Sequence, residues 1–423
     1  MKTVIEHARV IDPANAIDQV GPVYIDNQWI VAIDQAPDNF KADHVIDAHE
    51  HWLIPGLVDT QCRVREPGFT QKGTIASETY AAARGGITSL CIPPDSVPVT
   101  DNPAVIELIH HSNQKAGNRC HLYTIGAITK GLEGEQLSNM GALHQAGCVA
   151  VSNARAPFVN NLVQRRAMEY AAGLNMPVII QPYDHSLYAN GCAHEGAMAT
   201  RMGLPPIPEA AETAALARDI ELVVQTGART HFGQLSCARS VDMLRQAKKD
   251  GLPVSADVSI HQLFLTDHDI DGFDSNKYTL PPLRSMRDRD ALREGLVDGT
   301  IDCICSDHQP HDRDAKLAPF PSAEPGCSTL DSLLPLVVRL VDEGLLDLST
   351  ALGKVTSNPA RVFKLPAGQL APGELADLCI VDPAQHYLSN SQQFVSVGKN
   401  SPFDGWDFSA RCVQTMVAGR LID

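Results

Sequence analysis

Between residues 53 and 306 the chain repeats one unit, a short apolar run followed by a turn and an amphipathic stretch. The apolar runs cover 53–60, 87–93, 120–127, 148–152, 177–182, 229–235, 253–259 and 301–306. Their length and continuous hydrophobicity predict strands buried on both faces. The stretches Ile75–Arg84, Ala104–Lys115, Leu162–Ala172, Ala210–Gln225, Val241–Lys249, Arg287–Leu296 and Leu330–Leu340 carry apolar residues three and four apart, which predicts helices. Glycines punctuate the units, among them Gly85-Gly86, Gly117, Gly147, Gly227 and Gly299. Eight strand–helix units running one way predict a parallel (β/α)8 TIM-like barrel rather than an open sheet.

The two ends of the chain have a different pattern. Residues 1–52 alternate in short runs, Thr3–Ile5, Ala8–Ile11, Val23–Ile25 and Trp29–Ile33, separated by Asp-Pro, Gly-Pro and Asp-Asn turn signals. Ala376–Asp382 and Thr415–Ile422 look similar. These predict a small composite β module, a β-sandwich built from residues 1–52 and 366–423, around a barrel spanning 53–365. The connection from His261 to Arg284, 24 residues, is long for a barrel loop and predicts a functional or contact loop.

Composition narrows the function. With 44% hydrophobic residues in 423, there is enough apolar material for a barrel of about 250 residues and an added module. The net charge is −16 and Lys and Arg form no block, which argues against nucleic acid as a partner. No run of about 18 apolar residues predicts a membrane span, and Glu6 breaks the first apolar run before it can read as a signal peptide. The eleven cysteines form no Cys-x-x-Cys pair and read as buried thiols of a cytoplasmic protein.

Chemistry in such a barrel belongs at the C-terminal ends of its strands. The first strand runs into Asp59-Thr-Gln61-Cys-Arg63-Val-Arg65-Glu-Pro-Gly68, and strand alternation puts Asp59, Gln61, Arg63 and Arg65 on one side with Cys62 on the other. Later strand ends read Ile92-Pro-Pro-Asp95, Val151-Ser-Asn153-Ala-Arg155-Ala-Pro157, Ile180-Gln181-Pro-Tyr-Asp184, His231-Phe-Gly-Gln234 and Cys305-Ser-Asp307-His-Gln-Pro-His311, and Tyr278-Thr-Leu-Pro-Pro-Leu-Arg284 precedes the last of them.

Taken together, these pieces resemble the dihydroorotase branch of the amidohydrolase superfamily. The resemblance covers nearly all of residues 53–365. It implies a metal site at the positions of Gln61, Arg63, Asn153, Gln181 and Gln234, where the family has His or acidic ligands. It also implies a catalytic base at Asp307 and substrate contacts at Arg65 and His311. A substrate-binding Asn is replaced by Pro94 and another by Leu280. His231 lies three residues before Gln234, nearer the strand start, and does not replace the missing ligand.

The replacements bear on zinc directly. Catalytic zinc takes about three good ligands from neutral His, carboxylate or thiolate, and of the expected positions only Asp307 keeps such a group. A guanidinium stays protonated and cannot coordinate. At 4 Å it would repel a divalent cation by roughly 8 kcal/mol at an effective dielectric of 20. Zinc is therefore expected to be absent, and with it the activated hydroxide and the Lewis acid. The resemblance is nearest to the pseudo-dihydroorotases, the non-catalytic chains of bacterial aspartate carbamoyltransferase. It implies a structural role in a hetero-oligomer with the transcarbamoylase, in pyrimidine biosynthesis. Two other readings stand beside it. One is a cyclic-amide hydrolase with a rearranged site drawing on Asp184, His185, His261, His308 and His311. The other is a small-anion sensor using Arg63, Arg65 and Arg155.

Overall fold

A computed structural model describes residues 1–422. The eight predicted barrel strands are all present: β1 (Leu57–Asp59), β2 (Ile87–Ile92), β3 (His121–Ala127), β4 (Ala150–Ser152), β5 (Val178–Ile180), β6 (Thr230–Phe232), β7 (Val254–Ser259) and β8 (Cys303–Cys305). Each pairs in parallel with the next in chain order. Closure comes just beyond the strand ends, where Cys62 bridges His308 and Arg63 N–H donates to the His308 carbonyl at 2.9 Å. Val58, Cys91, Ile125, Ala150 and Ile179 fill the interior, and Ala360 and Phe363 of helix Ser357–Phe363 pack against them. The barrel is thus a packed core with its polar strand ends gathered at one mouth.

The predicted helices form with shifts of a few residues at their ends, set by caps the periodicity does not show. Thr74 starts helix Ile75–Arg84 by accepting from Ser77 N–H, and Ser285 starts Met286–Val297 in the same way from Asp288 N–H. Residues 330–332 form a 3-10 turn, so the last predicted helix begins at Leu333.

Strands from both ends of the chain share one six-stranded sheet, in the order Arg420–Ile422, Arg411–Val417, Leu378–Asp382, Trp52–Pro55, Arg9–Asp12 and Ile17–Val20. A four-stranded sheet of Trp29–Ile33, Val23–Asp26, Lys2–Glu6 and His44–Asp47 completes the module. The two sheets meet over a core that includes Ile5, Val10, Ile25, Ile30, Leu53, Leu378 and Met416.

Three expectations change. The first predicted strand, 53–60, is two strands: Trp52–Pro55 belongs to the module, and β1 begins only after Gly56. A Cβ at Gly56 would sit 2.2 Å from the Thr88 side chain, so only glycine lets the chain cross between sheets this close to β2. The run 415–422 is a hairpin turning at Ala418-Gly419. Strands Ile17–Val20 and His44–Asp47 carry mostly exposed residues and lack the apolar alternation that would announce them.

Candidate functional site

The mouth is organised by Arg63, which follows β1 and is 8% exposed. Its Nε donates to Asp95 Oδ2 at 2.8 Å, and its Nη1 lies 3.6 Å from Asp307 Oδ1. Burial works against the charged guanidinium, but Asp95 and Asp307 outweigh it and raise the Arg63 pKa above its ordinary value. Asp95 shows the reciprocal effect: burial disfavours its carboxylate, yet Arg63 holds its pKa below the usual range. Asp307, which follows β8 and is 1% exposed, also accepts from Gln309 Nε2 at 2.9 Å and from Ser259 Oγ at 3.4 Å. The carboxylate that the resemblance would make a catalytic base is thus bonded to protein donors.

The other replaced positions are also engaged locally. Asn153 Oδ1 accepts from Thr129 Oγ1 at 2.7 Å and Thr129 N–H at 3.2 Å, while its Nδ2 donates to the Ala156 carbonyl. Gln181 Nε2 donates to Gln234 Oε1, which accepts from Arg155 Nη2 as well, at 3.2 Å. Arg155 reaches across to the carbonyl of Leu280, the position where the resemblance would place a substrate-facing Asn. Gln61 is buried, and its backbone N–H donates to Asp59 Oδ1 at 3.3 Å. Arg65 donates through Nε to the Pro310 carbonyl at 3.0 Å, and its Nη2 lies 3.1 Å from His311 Nε2. The two residues inferred to contact substrate therefore touch each other. Burial, aided by repulsion from Arg63, lowers the Arg65 pKa to about 10.

The backbone of the mouth keeps an unusual shape. Arg65, Ala154, Gln234 and Asp307 have φ of 66°, 48°, 57° and 49°. Each of these left-handed residues costs roughly 1–2 kcal/mol. Such conformations cluster where side chains must be aimed inward.

The residues of the rearranged-site reading do not converge. Asp184 caps the short helix His185–Tyr188, accepting from Ser186 and Leu187 N–H. His185 is exposed, with Nε2 2.7 Å from the Arg155 carbonyl oxygen. His308 is fully buried against Glu78 at 2.8 Å. His261 is buried with Nε2 unpartnered, and burial lowers its pKa to about 4. His231 pairs with Asp257 at 3.0 Å inside the barrel. Among the described residues, the His/Cys/Asp/Glu group close enough to share an ion is His194, Glu209 and Asp288, with ligand atoms within 4.8 Å of one another. Arg284 Nη1 sits 3.2 Å from His194 Nδ1. As an obligate donor it makes Nδ1 the acceptor and leaves the proton on Nε2, so neither ring nitrogen offers a free lone pair to a metal. Glu209 and Asp288 are meanwhile bonded to Arg287 and Ala238 N–H.

Sequence reading missed Asp95 and the Glu78–His308 pair. Asp95 carried one usable signal: an Arg among barrel strand ends needs a carboxylate within reach, and Asp95 lies three residues beyond the neighbouring strand β2.

Comparison with known proteins places the chain in a family and a fold. A family profile described as Dihydro-orotase-like matches residues 50–240. A Dihydroorotase-like protein of Pseudomonas aeruginosa is 48% identical over 421 residues, 100% of this chain and 99% of the relative. A protein named Dihydroorotase from Syntrophotalea carbinolica is 40% identical, covering 100% and 99%. In fold the chain resembles the L-hydantoinase of Arthrobacter aurescens, with a TM-score of 0.88 at 23% identity over 99% of this chain and 95% of that one. Barrel, module and strand-end motifs all lead to one assignment: the chain belongs to the dihydroorotase-like family of the amidohydrolase superfamily.

Proposed function

We propose that this chain is a catalytically inactive dihydroorotase homologue whose barrel serves as a structural partner in the assembly of aspartate carbamoyltransferase, in pyrimidine biosynthesis. The observation that carries the loss of catalysis is the Arg63 guanidinium set between Asp95 and Asp307. Amidohydrolase relatives usually use zinc, and the donor set here does not fit it. Gln61, Asn153, Gln181 and Gln234 offer at best neutral amide oxygens, and Arg63 offers a fixed positive charge. Asp307 without a metal-activated nucleophile has nothing to deprotonate usefully.

The partner rests on the resemblance to the non-catalytic transcarbamoylase chains, together with a fold kept in order around a mouth in which Arg63 pairs with Asp95 and Gln181 with Gln234. The competing reading, a metal-dependent cyclic-amide hydrolase, draws support from relatives named Dihydroorotase at 39–40% identity. Incubation with zinc, elemental analysis and a dihydroorotate hydrolysis assay separate the two. We expect well under one zinc per chain and no turnover above background. Stoichiometric zinc whose removal abolishes measurable hydrolysis would overturn the proposal.

A further inference from the structure

A second polar cleft adjoins the mouth and shares His311 with it. A cleft of about 750 Å³ opens between the 275–276 turn, the 311–317 segment after β8 and the 392–400 segment. Such a volume suits a small metabolite. Three cations line it, Arg313, Lys316 and Lys399, against the single carboxylate of Asp312.

The two ammonium groups are held in place. Lys316 Nζ donates to the Ser275 carbonyl at 3.1 Å and the Glu324 carbonyl at 2.6 Å, and Lys399 Nζ to the Ser396 carbonyl at 2.9 Å and the Phe394 carbonyl. Each spends two of its three N–H donors on carbonyls and keeps one. Burial lowers the Lys316 pKa to about 8, so an anion placed beside it would recover part of the lost solvation.

The inner wall supplies an independent observation. His311 is 4% exposed, lines this cleft, and has no hydrogen-bond partner at Nδ1. The nearest carboxylate, Glu324 Oε2 at 3.4 Å, is itself drawn to Lys72 at 2.5 Å. His311 Nε2 is flanked by the Arg65 guanidinium at 3.1 Å and the Pro325 carbonyl at 3.0 Å, so either tautomer has one suitable neighbour there. In either case Nδ1 is left over, as donor or acceptor. A hydroxyl group both donates and accepts, and so satisfies it in both.

From these groups we infer that the cleft binds a hydroxyl-bearing phosphate monoester of sugar-phosphate type, its phosphate on Arg313, Lys316 and Lys399 and a hydroxyl on His311 Nδ1. Ionic hydrogen bonds from two ammonium groups and a guanidinium suit a dianion. The cleft meets the Arg63, Arg65 and Arg155 cluster only through His311, whose Nε2 lies 3.1 Å from Arg65 while Nδ1 faces the proposed ligand.

The test is calorimetric titration of the full chain with ribose 5-phosphate, ribose and succinate at matched ionic strength. Ribose 5-phosphate is expected to bind while ribose and succinate do not. Arg313→Ala, an exposed position that leaves the fold intact, and Lys316→Met should each weaken binding by about tenfold or more, the equivalent of one lost ionic hydrogen bond. Equal binding of succinate, no binding of ribose 5-phosphate, or unchanged affinity in folded Arg313→Ala would overturn the assignment.

Discussion

At Arg63, where the resemblance would place a metal ligand, the chain carries a cation, and carboxylates beyond the two neighbouring strands balance it. That balance predicts its own mutational cost. Arg63→Met leaves the buried Asp307 and the half-buried Asp95 without their counter-charge, and should destabilise the protein by about 3 kcal/mol in urea denaturation. A loss below about 1 kcal/mol, as for exposed pairs, would show that the pairs carry little. The double change Gln61→His with Arg63→His should restore no dihydroorotate hydrolysis, because Asn153, Gln181 and Gln234 still deny a metal its remaining ligands. Turnover dependent on added zinc in that variant would contradict the reading. The strand-end positions could be placed from the sequence because motifs around them stand out, as in Pro-Gly-Leu-Val-Asp and Arg-Glu-Pro-Gly. Their bonds were not legible. Nothing local to Asn153 announces that Thr129, 24 residues earlier, will occupy its amide oxygen, nor does spacing reveal that Arg155 reaches the Leu280 carbonyl.

At the scale of elements, the strand and helix periods located the barrel well, because a strand buried on both faces and a helix against it leave distinct patterns. The pattern failed where one apolar run served two sheets. Leu53 to Val58 reads as one strand, and only the space around Gly56 divides it. Gly56→Ala should therefore cost about 1–3 kcal/mol, the usual price of forced overpacking, and a neutral result in thermal melts would contradict the close approach. The long 261–284 connection is a further case. Its first half is packed into the core through Leu263, Phe264, Leu265 and Ile270, and Phe273, at the tip, is exposed. As a contact loop it can offer little beyond that tip. Asp331, in the turn before helix Leu333–Asp342, gives a pH test. Burial raises its carboxyl pKa to about 7, against about 3.9 unfolded. Between those values the folded chain holds the extra proton, so this group's contribution to stability falls as pH rises from about 4 to 7. Asp331→Asn should remove that fall, making the urea midpoint drop less between pH 5 and pH 8 than in the parent chain. An unchanged drop would place the carboxyl near its ordinary pKa.

At the scale of the whole molecule, the barrel and module are ordered, and at the mouth Arg63 pairs with Asp95 and Gln181 with Gln234. A barrel of this size can present a standard interface of about 800 Å² per partner on its helices or its module. If the account is right, what the chain must preserve is a surface, and changes confined to the mouth should leave assembly intact. Asp307→Asn, close to isosteric but uncharged, should still assemble even if it loses stability. The central claim is tested most directly by size-exclusion chromatography with light scattering on this chain mixed, at micromolar concentration, with the aspartate carbamoyltransferase catalytic chain from the same cells. The account predicts a single hetero-oligomer peak heavier than either component; two separate peaks at the component masses would contradict it.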